Sequence, residues 1–153
     1  MRELQALGEV TGRSALFRTE PVGGPPGQPP YVNAVVRLRT AERHADPRTL
    51  MRLLLNLERR LGRQRRERWG PRLIDLDLLD LAGRIFVGPA TTGAEDPLPA
   101  LRLPHPRMAE RAFVLAPLAD LAPTWRHPTL GLTAAELLER VGADGVERLP
   151  DAW

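Results

Sequence analysis

The chain has 153 residues, with 22 arginines, no lysine and no cysteine. That length allows one domain with a real core, and 42% apolar with 27% charged residues argues against wholesale disorder. The missing residue types exclude disulfides, thiolate metal sites, a Schiff-base lysine and a Walker-A lysine, so every basic side chain is a guanidinium suited to phosphate. No apolar run approaches membrane-spanning length and the N-terminus does not read as a signal peptide, so the expected compartment is the cytoplasm. Zero lysine beside many Ala, Leu, Pro and Gly fits a biased base composition, so the placing of the arginines carries more information than their number.

In chain order, residues 1–7 read as the end of a helix, with Leu4 and Leu7 three apart. A strand is predicted over 9–19. Residues 22–30 hold four Pro and three Gly and read as a restrained loop. Residues 31–39 alternate, with Val32, Ala34, Val36 and Leu38 expected on the core face. Asp46-Pro47 is a helix start, Leu50, Leu53, Leu54, Leu57 and Leu61 follow at helical spacing, and Gly62 is the expected stop. Residues 73–81 alternate as a strand, Ala82-Gly83 reads as a turn, and residues 84–87 as its hairpin partner. A Pro/Gly-rich loop is expected over 88–104, two short helices near 107–121, and a last helix near 133–141. This order suggests an α+β sandwich with helices on one antiparallel-rich sheet.

The chemistry concentrates in ERRLGRQRRERWGPRLIDLDLL, residues 58–79. Asp75 and Asp77 are two apart on the predicted strand, so both carboxylates share a face while Ile74, Leu76 and Leu78 take the other. Such a pair can bridge Mg²⁺ ions, which take oxygen ligands and keep waters and phosphates; two surface carboxylates on an edge strand are the plainer alternative. Seven arginines fall within 59–72. Arg59 and Arg60 suit a helix C-terminus, but the others lead straight to the carboxylates, where guanidinium, metal and polyphosphate would meet. An Arg-rich nucleic-acid-binding module is the rival reading, and a two-Asp nuclease a further one. Trp69 inside this loop could stack on a planar ring or cap the local core.

RWGPR followed by DLDLL closely resembles the signature of the 6-hydroxymethyl-7,8-dihydropterin pyrophosphokinase family. FRTEPVG (17–23), YVNAVV (31–36) and LPHPRMAERAFVLAPLADLAP (103–123) extend the resemblance over roughly 4–141. It implies a ferredoxin-like α+β sandwich that transfers pyrophosphate from ATP to the pterin, giving AMP and the pterin diphosphate in folate biosynthesis. It implies two Mg²⁺ ions held by Asp75 and Asp77, with Arg63 and Arg72 on the transferring phosphates and Arg65 in the same loop. It places Glu58, His105 and Arg111 on the nucleotide side. Trp69, Tyr31 and Phe113 would stack on the pterin, Thr19 and Asn33 would hydrogen-bond its edge, and Pro21 and Val22 would line the pocket. The expected partners are these two small molecules, without nucleic acid or membrane, and the expected state is a monomer with one domain over 1–153.

Three departures are visible. The family opens with a strand, a G-S-N-L motif and a helix, whereas residues 1–7 match only the end of that helix. The expectation is therefore a longer native chain, or a catalytically impaired homologue with a weakened sheet and pterin pocket. Residues 88–100 read as a surface insertion. Pro106 stands where an aromatic is common.

Overall fold

The structure, a computed structural model, describes residues 3–20, 29–61, 74–91 and 97–150. Among the described residues, seven short strands, three α-helices and three 3₁₀ turns build an α+β fold in which every strand pairing is antiparallel. Among the described residues these pairings form three ladders, of two, three and two strands. Strand β1 (Gly8–Arg13) pairs with β4 (Val36–Thr40), with a bulge between Val10 and Gly12. Strand β2 (Phe17–Thr19) lies between β3 (Tyr31–Asn33) and β7 (Val146–Arg148), and β5 (Phe86–Gly88) pairs with β6 (Leu101–Leu103).

The strand predicted over 9–19 is thus two strands, because the chain changes ladder at residues 14–16. Ser14 donates its N–H to the Val35 carbonyl at 2.9 Å, and its Oγ accepts from Val35 N–H at 3.0 Å. Ala15 N–H donates to the Asp120 carboxylate at 2.7 Å. Side-chain and loop partners take over where the ladder stops. The strand predicted over 31–39 breaks at the same crossing, between Asn33 and Val36. The break shifts its alternation: Val35 and Leu38 pack on buried clusters, while Val32, expected in the core, is 57% exposed.

Helix α1 (Pro47–Arg60) starts as its sequence demands. The Asp46 carboxylate accepts from Thr49 N–H at 2.7 Å, and that bond holds its pKa below the ordinary carboxylate value. Leu50, Leu54 and Leu57 are buried together with Leu7, ringed by Leu4, Leu38, Leu53, Leu76, Leu78 and Leu81. Each such burial is worth roughly 1.5–3 kcal/mol. Gly62, the expected stop, lies outside the described residues.

The strand expected over 73–81 is absent from its described part: residues 74–80 run without ladder partners. Its backbone bonds go elsewhere. Leu76 N–H donates to the Glu58 carboxylate, and the Leu79 carbonyl accepts from His105 N–H. The turn at Ala82-Gly83 is present, with positive φ at both and Gly83 N–H donating to Asp80 at 3.1 Å. The following strand, however, pairs with 101–103 inside the stretch expected to be loop. Thr91 and Leu98 close the base of that connection through two hydrogen bonds of 2.9 and 2.8 Å.

Helix α2 (Ala112–Leu121) and helix α3 (Ala134–Val141) pack together around Met108, Val114, Leu118 and Ala134. Ala116 of α2 meets Ala15 and Phe17, which joins the helices to β2. Thr133 and Glu136 form a reciprocal cap at the start of α3.

Candidate active site

Asp75 and Asp77 are both exposed, whereas Ile74, Leu76 and Leu78 between and beside them are half-buried. Leu76 and Leu78 pack on the α1 leucines, which turns the two carboxylates outward from the core. The expected alternation therefore survives without the expected ladder. Among the described residues no three His, Asp or Glu side chains converge as a metal cage. Two exposed carboxylates on one segment could supply oxygen ligands to a hydrated divalent cation.

A cavity of about 350 Å³ opens beside this pair, lined by Met51, Asp77, Leu78, Ala100, Leu101, Arg102, His105 and Pro106. Three segments build it: α1 supplies Met51, the 74–80 segment supplies Asp77 and Leu78, and β6 with the residues on either side of it supplies the rest. His105 N–H donates to the Leu79 carbonyl at 2.8 Å, which fastens that loop beside the aspartates. The His105 imidazole is held below its ordinary pKa, chiefly by burial; Asp77 pulls it upward, and Arg111 and Arg107 push it down. The arrangement offers apolar walls with a carboxylate, a guanidinium and an imidazole at the rim, which suits a flat base carrying a charged tail.

Glu58, expected on the nucleotide side, is only 1% exposed, and its Oε1 accepts from Leu76 N–H at 2.6 Å. Arg111 immediately precedes α2, and its guanidinium carbon lies 5.4 Å from the centre of the Phe113 ring. Thr19 and Asn33 meet across the β2–β3 pair: Asn33 Nδ2 donates to Thr19 Oγ1 at 2.9 Å. Tyr31 is the register partner of Thr19 and is 40% exposed. Phe113 is partly buried against the Met108 cluster on α2, a helix that also packs on β2 and β3. Pro21, Val22, Arg63, Arg65, Trp69 and Arg72 lie outside the described residues.

Met51, Ala100 and Arg102 were not legible as site residues. Met51 reads as one more position on an amphipathic helix, and residues 100–102 reach the cavity only through the β5–β6 pairing.

The family model for 7,8-dihydro-6-hydroxymethylpterin-pyrophosphokinase matches residues 1–123. A protein of Pseudomonas aeruginosa named 2-amino-4-hydroxy-6-hydroxymethyldihydropteridine pyrophosphokinase is 42% identical over 139 residues, 91% of this chain and 76% of that protein. Its namesake in Methylorubrum extorquens is 39% identical over 92% of this chain and 78% of its own. The chain belongs to the hydroxymethylpterin pyrophosphokinase family. The namesake in Synechocystis is 40% identical over 90% of this chain, which spans 63% of that relative's length. The family match takes in the carboxylate pair, the cavity and the Thr19–Asn33 contact. The α3 helix and β7 fall beyond it, yet Leu138 and Val146 from these elements pack on the Phe17 cluster. Among the described residues no helix is long and apolar enough to cross a membrane.

Proposed function

We propose that this chain transfers the β,γ-pyrophosphoryl group of ATP to the hydroxymethyl oxygen of 6-hydroxymethyl-7,8-dihydropterin, in the cytoplasm and as a single-domain monomer. One observation carries the reading: Asp77 and His105 line the same cavity, next to the exposed Asp75, in a chain of this family. The hydroxymethyl oxygen attacks Pβ, the bond from Pβ to the α–β bridging oxygen breaks, the hydroxyl proton passes to solvent, and AMP leaves. Two Mg²⁺ ions held by Asp75, Asp77 and phosphate oxygens would offset the charge of the triphosphate.

The protein's own part is positioning. The nucleotide base and sugar enter the cavity between Met51, Leu78 and Leu101, with His105 and Arg102 at its polar rim. Arg63, Arg65, Arg72 and Arg111 supply guanidinium forks to phosphate oxygens. The pterin edge meets Thr19 and Asn33, its ring meets Tyr31, Trp69 and Phe113, and Pro21 and Val22 line its pocket.

The test is to incubate the full chain with MgATP and the dihydropterin and separate the products. AMP and the pterin diphosphate should appear in equal amounts. Release of ADP, or no pterin-dependent AMP at all, would overturn the reading.

A further inference from the structure

Glu58 sits on the buried face of α1 beside Leu57 and Leu54, and only 1% of it is exposed. The other buried residues of α1 are Pro47, Leu50, Leu54 and Leu57, and a leucine at 58 would fill the place without desolvating a carboxylate. A carboxylate buried there costs several kcal/mol unless its oxygens are well bonded. Its Oε1 accepts from Leu76 N–H at 2.6 Å, a short hydrogen bond. Leu76 is the residue between Asp75 and Asp77, and it belongs to the segment that has no ladder.

We propose that Glu58 is a positioning residue for the carboxylate pair, holding the 75–77 backbone from beneath rather than touching the nucleotide. The Leu76 and Leu78 side chains already choose which face points inward. Apolar contact is non-directional, however, and lets the segment slide or rock. A hydrogen bond to the amide between the aspartates fixes its height and tilt, because that bond weakens steeply off-axis. In an ordinary strand the neighbouring strand does this; here a helix side chain does. Groups that orient ligands from behind typically control metal affinity by about 10–100-fold.

The inference rests on the proposed pyrophosphoryl transfer for its consequence, but its geometry can be read separately. The experiment uses the full chain as wild type, Glu58→Gln, Glu58→Leu and Asp75→Asn. Two readouts are hydrogen exchange at the Leu76 amide and Mn²⁺ titration by electron paramagnetic resonance with a non-hydrolysable ATP analogue. Steady-state kinetics form the third. Gln keeps an acceptor in place, so Leu76 should stay protected and Mn²⁺ affinity should stay within about threefold. Leu fills the volume without the acceptor; Leu76 should lose protection, Mn²⁺ affinity should fall about tenfold or more, and kcat should drop while the pterin KM stays put. Asp75→Asn should lose Mn²⁺ with Leu76 still protected.

Unchanged Leu76 protection and Mn²⁺ affinity in Glu58→Leu would overturn the proposal. So would a loss in Glu58→Gln as large as in Asp75→Asn, since that would mean the charge itself meets the ligand; this second comparison holds even if Glu58→Leu does not fold. Wild-type protein that makes no AMP would instead sink the proposed activity and leave the Leu76 result standing.

Discussion

The backbone N–H of His105 donates to the carbonyl of Leu79 at 2.8 Å, so the loop that carries the imidazole is fastened two residues beyond Asp77. The bond joins residues 26 positions apart and ties the loop that carries the rim histidine to the segment that carries the carboxylates.

Replacing Asp75 or Asp77 by Asn should cut turnover by roughly 100-fold or more, a loss of several kcal/mol of charge stabilisation. Both residues are exposed, so unfolding free energy should stay within about 0.5 kcal/mol of wild type. Steady-state kinetics beside urea denaturation checks the pair of outcomes. Near-normal turnover at saturating Mg²⁺ would remove the aspartates from the site.

The pH dependence of stability should carry a His127 signature. This imidazole is 6% exposed, and its Nδ1 accepts from Thr129 N–H at 3.4 Å and Leu130 N–H at 3.3 Å. Burial holds its pKa below the ordinary 6.5, although Asp80 opposes this. The unfolded chain therefore binds the proton first. The stabilisation is fully present above pH 6.5, and is lost as pH falls from there through the folded-state pKa. His127→Gln should flatten the stability profile between pH 7.5 and 5, leaving the slope of the same sign that His105 contributes. Thermal melting across that range measures it, and an unchanged profile would refute the assignment.

Gly8→Ala should weaken the β1–β4 ladder. A Cβ at Gly8 would lie 2.3 Å from the Arg39 carbonyl oxygen, which is backbone and cannot swing aside. The expected cost is about 1–3 kcal/mol. Denaturant titration should show a lower midpoint at unchanged slope; an unchanged midpoint would mean the ladder shifts freely.

Asp46→Ala should cost about 1 kcal/mol at neutral pH through loss of the bond from Thr49. The Asp46 pKa is lowered in the folded chain, so its contribution is complete above the unfolded value of 3.8 and disappears as pH falls through the folded one. The gap between wild type and variant should accordingly narrow in acid. A gap that stays constant down to pH 2 would show that the carboxylate charge plays no part.

Local chemistry made much of this molecule legible. The Asp46-Pro47 start, the leucine face of α1, the Ala82-Gly83 turn and the outward-facing Asp75 and Asp77 each follow from spacing within a few residues. What stayed hidden depended on distant partners. Periodicity cannot show that Ser14 will meet Val35, so two strands read as one on each side of that crossing. It cannot show that 86–88 will choose 101–103 over 74–80, because both are apolar and extended. Strand β7, Val-Glu-Arg, has one apolar residue and no pattern to read; only the waiting edge of β2 makes it a strand. The cavity beside Asp77 was half legible for the same reason: His105 and Asp77 belong to motifs, whereas Met51 and Ala100 arrive by topology. Glu58 belonged to a motif as well, yet its burial could not be read from a helical pattern.

Asp120 accepts from Ala15 N–H at 2.7 Å and from Arg148 Nε at 3.4 Å, and β2 is flanked by strands from residues 31–33 and 146–148. This has a consequence in time rather than in space. During synthesis the early strand acquires one neighbour almost at once, then waits for more than a hundred residues before its second edge is covered. Until then that edge is open to other chains. The pairing that completes this ladder therefore forms only after residues 146–148 have been made, and a product stalled before them would be exposed along β2 even with every residue of the Asp77–His105 cavity already made.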